Sequence, residues 1–193
     1  MPLSQSISRR VLKHTRTIQV DAFARDDGLW DIDAHITDVK TRDAKFAWGV
    51  RSAGEFIHDL WLRVTIDLQL NIVDAQAVSD AVPYPDHCDT IGPAYSKLIG
   101  LNLVQGFRQG LQERLAGTAG CTHLSELALI LPTAAIQAFA GDVIDTRDGA
   151  SGDEQTEKPF QLDRCHALRS DGEAVARYYP RWAIRPAAKQ ESG

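Results

Sequence analysis

Only three of the 193 residues are cysteine, too few and too odd in number for a disulfide framework, so the thiols read as reduced ligands, nucleophiles or core filler. Long apolar runs are missing: no stretch approaches the ~18 residues that a bilayer-spanning helix needs. An apolar leader is missing too, because residues 1–16 are polar and basic, and a cytoplasmic location is expected. Positive charge is scarce, with 21 Lys and Arg against 26 Asp and Glu, and the net charge of −5 argues against nucleic acid or an anionic membrane as the main partner. Small molecules or proteins are left, with a homodimer open. No Gly-x-Gly-x-x-Gly leads from a strand into a helix and no Gly-Lys-Ser is present, so a nucleotide site lacks its usual loop. The Gly-x-Ser-x-Gly elbow of serine hydrolases and the Cys-x-x-Cys spacing of zinc sites are absent as well.

What is present, 44% apolar and 24% charged residues, suits one well-packed domain. Residues 17–24 and 29–40 read as a hairpin turned by Arg25-Asp26-Asp27-Gly28. Along the second strand Trp30, Ile32, Ala34 and Ile36 share one face, and Asp31, Asp33, His35 and Thr37 the other. After a loop that includes residues 51–54, residues 55–67 put Phe56, His58, Leu60, Leu62, Val64 and Ile66 on one face, so His58 is the single polar member of an apolar row. A fourth strand over 70–82 completes an antiparallel meander and stops at Pro83 and Pro85. Two helices are predicted over 90–116 and 121–140, the second kinked or split by Pro132. The core then spans about 17–140. A flexible linker over 141–158, poor in apolar residues, leads to a C-terminal β-hairpin over 159–183 that turns at Ser170-Asp171-Gly172.

The chemistry concentrates in Gly117-Thr118-Ala119-Gly120-Cys121-Thr122-His123-Leu124, where a thiol and an imidazole open a helix. Orphan N–H groups at a helix N-terminus favour a thiolate, which suits Cys121 to bind metal or to react. Each cysteine has a histidine close by: His87-Cys88, Cys121-Thr122-His123 and Cys165-His166. His58 from the inner sheet face, Cys88 from the loop after the meander, and Cys121 with His123 at the helix start converge in this arrangement, a sulfur and nitrogen set that suits zinc or iron. Packed core residues are the bland alternative for each. Asp33 and His35 lie in a polar row that is either a solvated face or a second acid–base cluster, and Arg16, Arg25 and Arg63 are candidates to clamp a substrate carboxylate.

The runs Arg25–His35, Ala53–Asp59, Gly120–Leu124 and Arg164–Gly172 closely resemble the bacterial family known as domain of unknown function 2889, a likeness that implies no established activity. From Glu55 to about Ala140 the chain also resembles iron–sulfur scaffold proteins of the NifU/IscU type. That likeness implies a NifU/IscU-like core, with Ile57-His58-Asp59 standing at the first ligand turn, Cys88 at the second position and Cys121 at the last. Histidine replaces the first scaffold cysteine, which favours one fixed metal over a releasable cluster.

The resulting expectation is an α+β protein, a meander packed on two main helices, holding one mononuclear zinc or iron through His58, Cys88 and Cys121 with His123 or Asp59 as a further ligand. Such a metal activates water or polarises a small organic substrate in a lyase or hydrolase reaction. The competing expectations are a non-catalytic metal or iron–sulfur carrier, and a metal-free enzyme in which Cys121 attacks with His58 as its base.

Overall fold

Four of the alternating stretches fold as the strands of one antiparallel sheet, in the computed structural model that describes residues 3–146 and 157–184. Strands β1 (His14–Ala24), β2 (Trp30–Lys40), β5 (Phe56–Ile66) and β6 (Ile72–Ala81) lie in the order β1-β2-β5-β6. Residues paired across antiparallel strands share a face, so the registers Ile32↔Val64, Ala34↔Leu62 and Ile36↔Leu60 build one continuous apolar surface. All six of these side chains are buried, the five larger than alanine each contributing about 1.5–3 kcal/mol by leaving water. Strand β1 is an edge, exposed at every position but the half-buried Val20, so the core sits under β2, β5 and β6.

A short hairpin interrupts the stretch read from sequence as loop. Strands β3 (Ala44–Phe46) and β4 (Gly49–Arg51) pair with each other, and Trp48 at their turn donates its Nε1–H to the Pro83 carbonyl at 2.6 Å. Three-residue strands are too brief for a periodicity to register.

The long helix expected over 90–116 is replaced by three pieces. A 3₁₀ segment spans Cys88–Leu98 and an α-helix, α1, spans Phe107–Leu115. Between them Gly100 and Gly106 take positive φ values of 83° and 67°, which ends one helix and begins the other. The intervening chain is held to the sheet: Gly100 N–H donates to Ile72 and Ile72 N–H to Leu101. Helix α2 (Thr122–Phe139) runs through Pro132 without being split, with Leu124, Leu127, Ala128, Leu131 and Ala135 buried. Among the described residues no helix is long and apolar enough to cross a membrane.

By contact the chain divides into two compact units, Met1–Ala138 and Phe139–Gly193. The α+β meander of the first matches expectation, but the C-terminal hairpin of the second does not form. In its place stand a 3₁₀ turn (His166–Leu168), a helix α3 (Glu173–Tyr178) and a second 3₁₀ turn (Pro180–Trp182). Gly172 stands at the N-cap of Glu173-Ala-Val-Ala-Arg-Tyr, whose good helix formers carry the acid in the first turn and Arg177 in the last. Asp163 accepts hydrogen bonds from Ser170 N–H (2.8 Å) and Ser170 Oγ (2.7 Å), closing a loop where a strand pair was predicted. Most of the predicted linker lies outside the described residues.

Candidate metal centre

One row of the sheet carries charge where its neighbours carry aliphatic groups. Arg16 on β1 pairs in register with Asp38 on β2, and Asp38 with His58 on β5, so the three side chains share the inner face one step beyond Ile18, Ile36 and Leu60. Asp38 is 3% exposed. A carboxylate at that depth persists only with its oxygens satisfied. Oδ1 accepts from His14 Nε2 (2.8 Å) and Arg16 Nε (2.9 Å), and Oδ2 from Arg16 Nη2 (2.9 Å) and His58 Nδ1 (2.9 Å). Burial pushes the Asp38 carboxyl up, but Arg16 and then His14 and His58 outweigh it and hold the group at about 2, so it is ionised. The other end of Arg16 reaches Glu126 on α2 at 2.5 Å.

His58 feels burial, the neighbouring His123 and Asp38, and the first two prevail: its imidazole sits below its ordinary range and is neutral near pH 7. Its ring lies 3.8 Å from that of His123, tilted by 34°. His123 belongs to the first turn of α2, and Tyr95 fixes where that turn begins. The buried Tyr95 hydroxyl accepts the Cys121 N–H (3.0 Å), donates to the Cys121 carbonyl (2.8 Å) and lies 2.9 Å from Ser125 Oγ. His123 Nε2 thereby comes to 4.0 Å from Asp38 Oδ2.

One ligand atom from each of Asp38, His58 and His123 lies within 4.8 Å of the others. Ligands held about 2.0–2.2 Å from a first-row ion stand roughly 3–4 Å from one another. The separations of 2.9 Å from Asp38 to His58 and 4.0 Å from Asp38 to His123 fit that spacing. Two imidazoles and a carboxylate suit both zinc and iron.

This set overturns the predicted Cys/His centre. Cys88 and Cys121 are half-buried free thiols outside the cluster, and Cys165 is exposed in the second unit. Cys121 Sγ lies 3.9 Å from Nδ1 of His123, on the other side of the imidazole from the nitrogen near Asp38. Burial pushes the Cys121 thiol up, yet His123 and the N–H groups of Leu124 and His123 bring it below its ordinary value. Asp59, offered as a ligand, lies on the opposite face of the sheet, as a residue next to His58 on a strand must. There it meets His35 Nε2 at 2.6 Å, and His35 stacks on Trp61 with ring centroids 3.7 Å apart. Asp33 shares that outer face and accepts a two-point fork from Arg63 at 2.6 and 2.5 Å. Thus Asp33, His35 and Asp59 are separated from His58 by the thickness of the sheet. Arg16, Arg25 and Arg63 each bind carboxylates of the protein itself.

In front of the cluster a cavity of about 340 Å³ is lined by His58, His123, Cys88 and Cys121 together with Leu60, Val82 and Ile91. Asp38, nearly inaccessible, does not line it.

A family model described as "Protein of unknown function (DUF2889)" matches residues 14–137, a span that holds the whole sheet and all three residues of the cluster. No curated protein and no solved structure is significantly similar to the chain, so the NifU/IscU likeness finds no support there.

Proposed function

The chain belongs to the DUF2889 family, and we propose that it is a metal-binding protein, a non-catalytic carrier that takes up one divalent zinc or iron ion at Asp38, His58 and His123 and releases it again. The observation that carries the reading is the convergence of the three ligand atoms within 4.8 Å. Their protonation supports it: a metal needs an ionised carboxylate and a neutral imidazole, and Asp38 and His58 are in those states. Reversibility follows from Arg16. Its guanidinium already contacts both oxygens of Asp38, so an incoming dication meets a carboxylate whose charge is largely neutralised and is held less tightly than by a free one.

Titration of the full chain with Co²⁺ or Zn²⁺ tests this. Close to one equivalent should bind, His58→Gln and His123→Gln should each weaken binding by well over tenfold, and a Cys88→Ser/Cys121→Ser double variant should retain it. Wild-type affinity in the histidine variants, or its loss in the double serine variant, contradicts the assignment.

A further inference from the structure

We infer that the cavity in front of the cluster binds a small aromatic carboxylate, whose carboxylate group completes the coordination of the metal and whose ring lies against the apolar wall. The inference rests on the metal reading above. His58 and His123 line the cavity, while Asp38 is nearly inaccessible and does not. An ion held by the three therefore meets the buried Asp38 on one side, and the cavity that both imidazoles line is the space open to a further ligand. Three protein ligands leave at least one open position on a four-coordinate ion and more on a six-coordinate one.

The rest of the lining decides the kind of ligand. Leu60, Val82, Pro83, Tyr84 and Ile91 present hydrocarbon and one phenol ring, a surface that gains by covering an apolar group. An apolar cavity of roughly 150 Å³ accommodates benzene. The cavity, at about 340 Å³, has room for one ring with substituents.

Charge selects the polar end. Arg16 and Asp38 cancel, so a bound dication leaves two positive charges, of which the half-exposed Glu126 offsets at most one. Among the described residues no lysine or arginine lines the cavity, so apart from the His87 imidazole a bound ion is the cation there for an anion to meet. An anionic oxygen donor on a small ring satisfies the wall, the open position and the charge together.

The test uses the full chain loaded with Co²⁺, whose visible absorption reports its ligands. Three probes separate the contributions: benzoate has ring and charge, acetate the charge alone, and benzyl alcohol the ring alone. Benzoate should change the Co²⁺ spectrum and bind at least tenfold more tightly than acetate or benzyl alcohol. Ile91→Trp, which fills the cavity, should keep Co²⁺ and lose benzoate. A chain that takes up Co²⁺ but binds benzoate no better than acetate overturns the inference and leaves the metal reading standing; a chain that takes up no Co²⁺ overturns both. Should Ile91→Trp fail to fold, the three-probe comparison on the wild-type chain decides alone.

Discussion

Nδ1 of His58 lies 2.9 Å from Oδ2 of Asp38, so a neutral imidazole on β5 donates its proton to an ionised carboxylate on the neighbouring β2. The spacing is at once that of a hydrogen bond and that of two adjacent ligands on one ion. Metal and proton thus compete for the same ring, and the outcome depends on pH.

Because burial and His123 hold His58 below its ordinary value near 6.5, the ring is already neutral above that pH, and a metal on Nδ1 requires its one remaining proton to move to Nε2 with no net loss of a proton. His58 should therefore add no pH dependence to Co²⁺ affinity from pH 8 down to about 6.5, and its own protonation should weaken binding, by up to tenfold per unit, only below that. Isothermal titration across that range checks it. An affinity still rising steeply above pH 7.5 indicates a thiol among the ligands.

Acid stability follows with its sign fixed by the same two groups. The folded-state value of Asp38, about 2 against 3.8 for a free carboxyl, means that its stabilisation is complete above about pH 4 and disappears as pH falls through 2. The loss is about 2 kcal/mol. His58, depressed in the fold, stabilises above pH 6.5 and begins to lose that contribution as pH falls below it. Urea unfolding at stepped pH should show both declines in the metal-free chain, and Asp38→Asn should lack the lower one.

Removing the buried carboxylate should cost far more than removing its counterpart outside. Asp38→Asn leaves Arg16 with only the exposed Glu126 and deprives His14 and His58 of a charged acceptor, a loss of about 3 kcal/mol, at the lower end for a buried pair because the Arg16 side chain is 31% exposed. Asp33→Asn breaks a fork to Arg63, whose side chain is 50% exposed, and should cost less than about 1 kcal/mol. Asp33→Asn, His35→Ala and Asp59→Asn should all leave Co²⁺ affinity unchanged, since these side chains lie on the far face of the sheet. Equal losses for Asp33→Asn and Asp38→Asn in urea unfolding count against the buried network.

His58 was legible because one imidazole interrupts an apolar row, and His123 because it opens a helix in a glycine-broken turn. Asp38 carried the same kind of signal. The inner face of β2, Trp30, Ile32, Ala34 and Ile36, reaches Asp38 at the next step of two, and extending the row by one position finds it. Its partner Arg16 depends on the register of β1 against β2, a long-range fact that local pattern does not carry. The cysteines misled because a helix start stabilises a thiolate whether or not a metal is near, and because sequence proximity to a histidine says nothing about which ring nitrogen faces the site. The C-terminal hairpin failed for a related reason: Ser-Asp-Gly serves equally as a turn between strands and as the approach to a helix, and Glu173 to Arg177 prefer the helix.

The placement of His123 should be sensitive to a residue that touches neither metal nor cavity contents through a side chain. Gly120 lies where an added Cβ would stand 2.5 Å from the Leu115 carbonyl oxygen, at the end of α1, and that oxygen is backbone with little freedom to retreat. Gly120→Ala must then push the start of α2 away from α1, against the Tyr95 hydrogen bonds that hold Cys121. A cost of about 1–3 kcal/mol is expected. A metal ligand tolerates a displacement of only about 0.5 Å, so Co²⁺ affinity should fall although no ligand has changed. Gly110→Ala is the control. Its Cβ would meet Cδ2 of Leu101 at 2.4 Å, the movable end of a side chain, and a helix interior gains up to about 1 kcal/mol from alanine. It should be near neutral in urea unfolding and bind Co²⁺ as the wild type does. If Gly120→Ala, measured where it is fully folded, also binds Co²⁺ with wild-type affinity, then the first turn of α2 does not set the position of His123 and the ligand assignment on that helix fails.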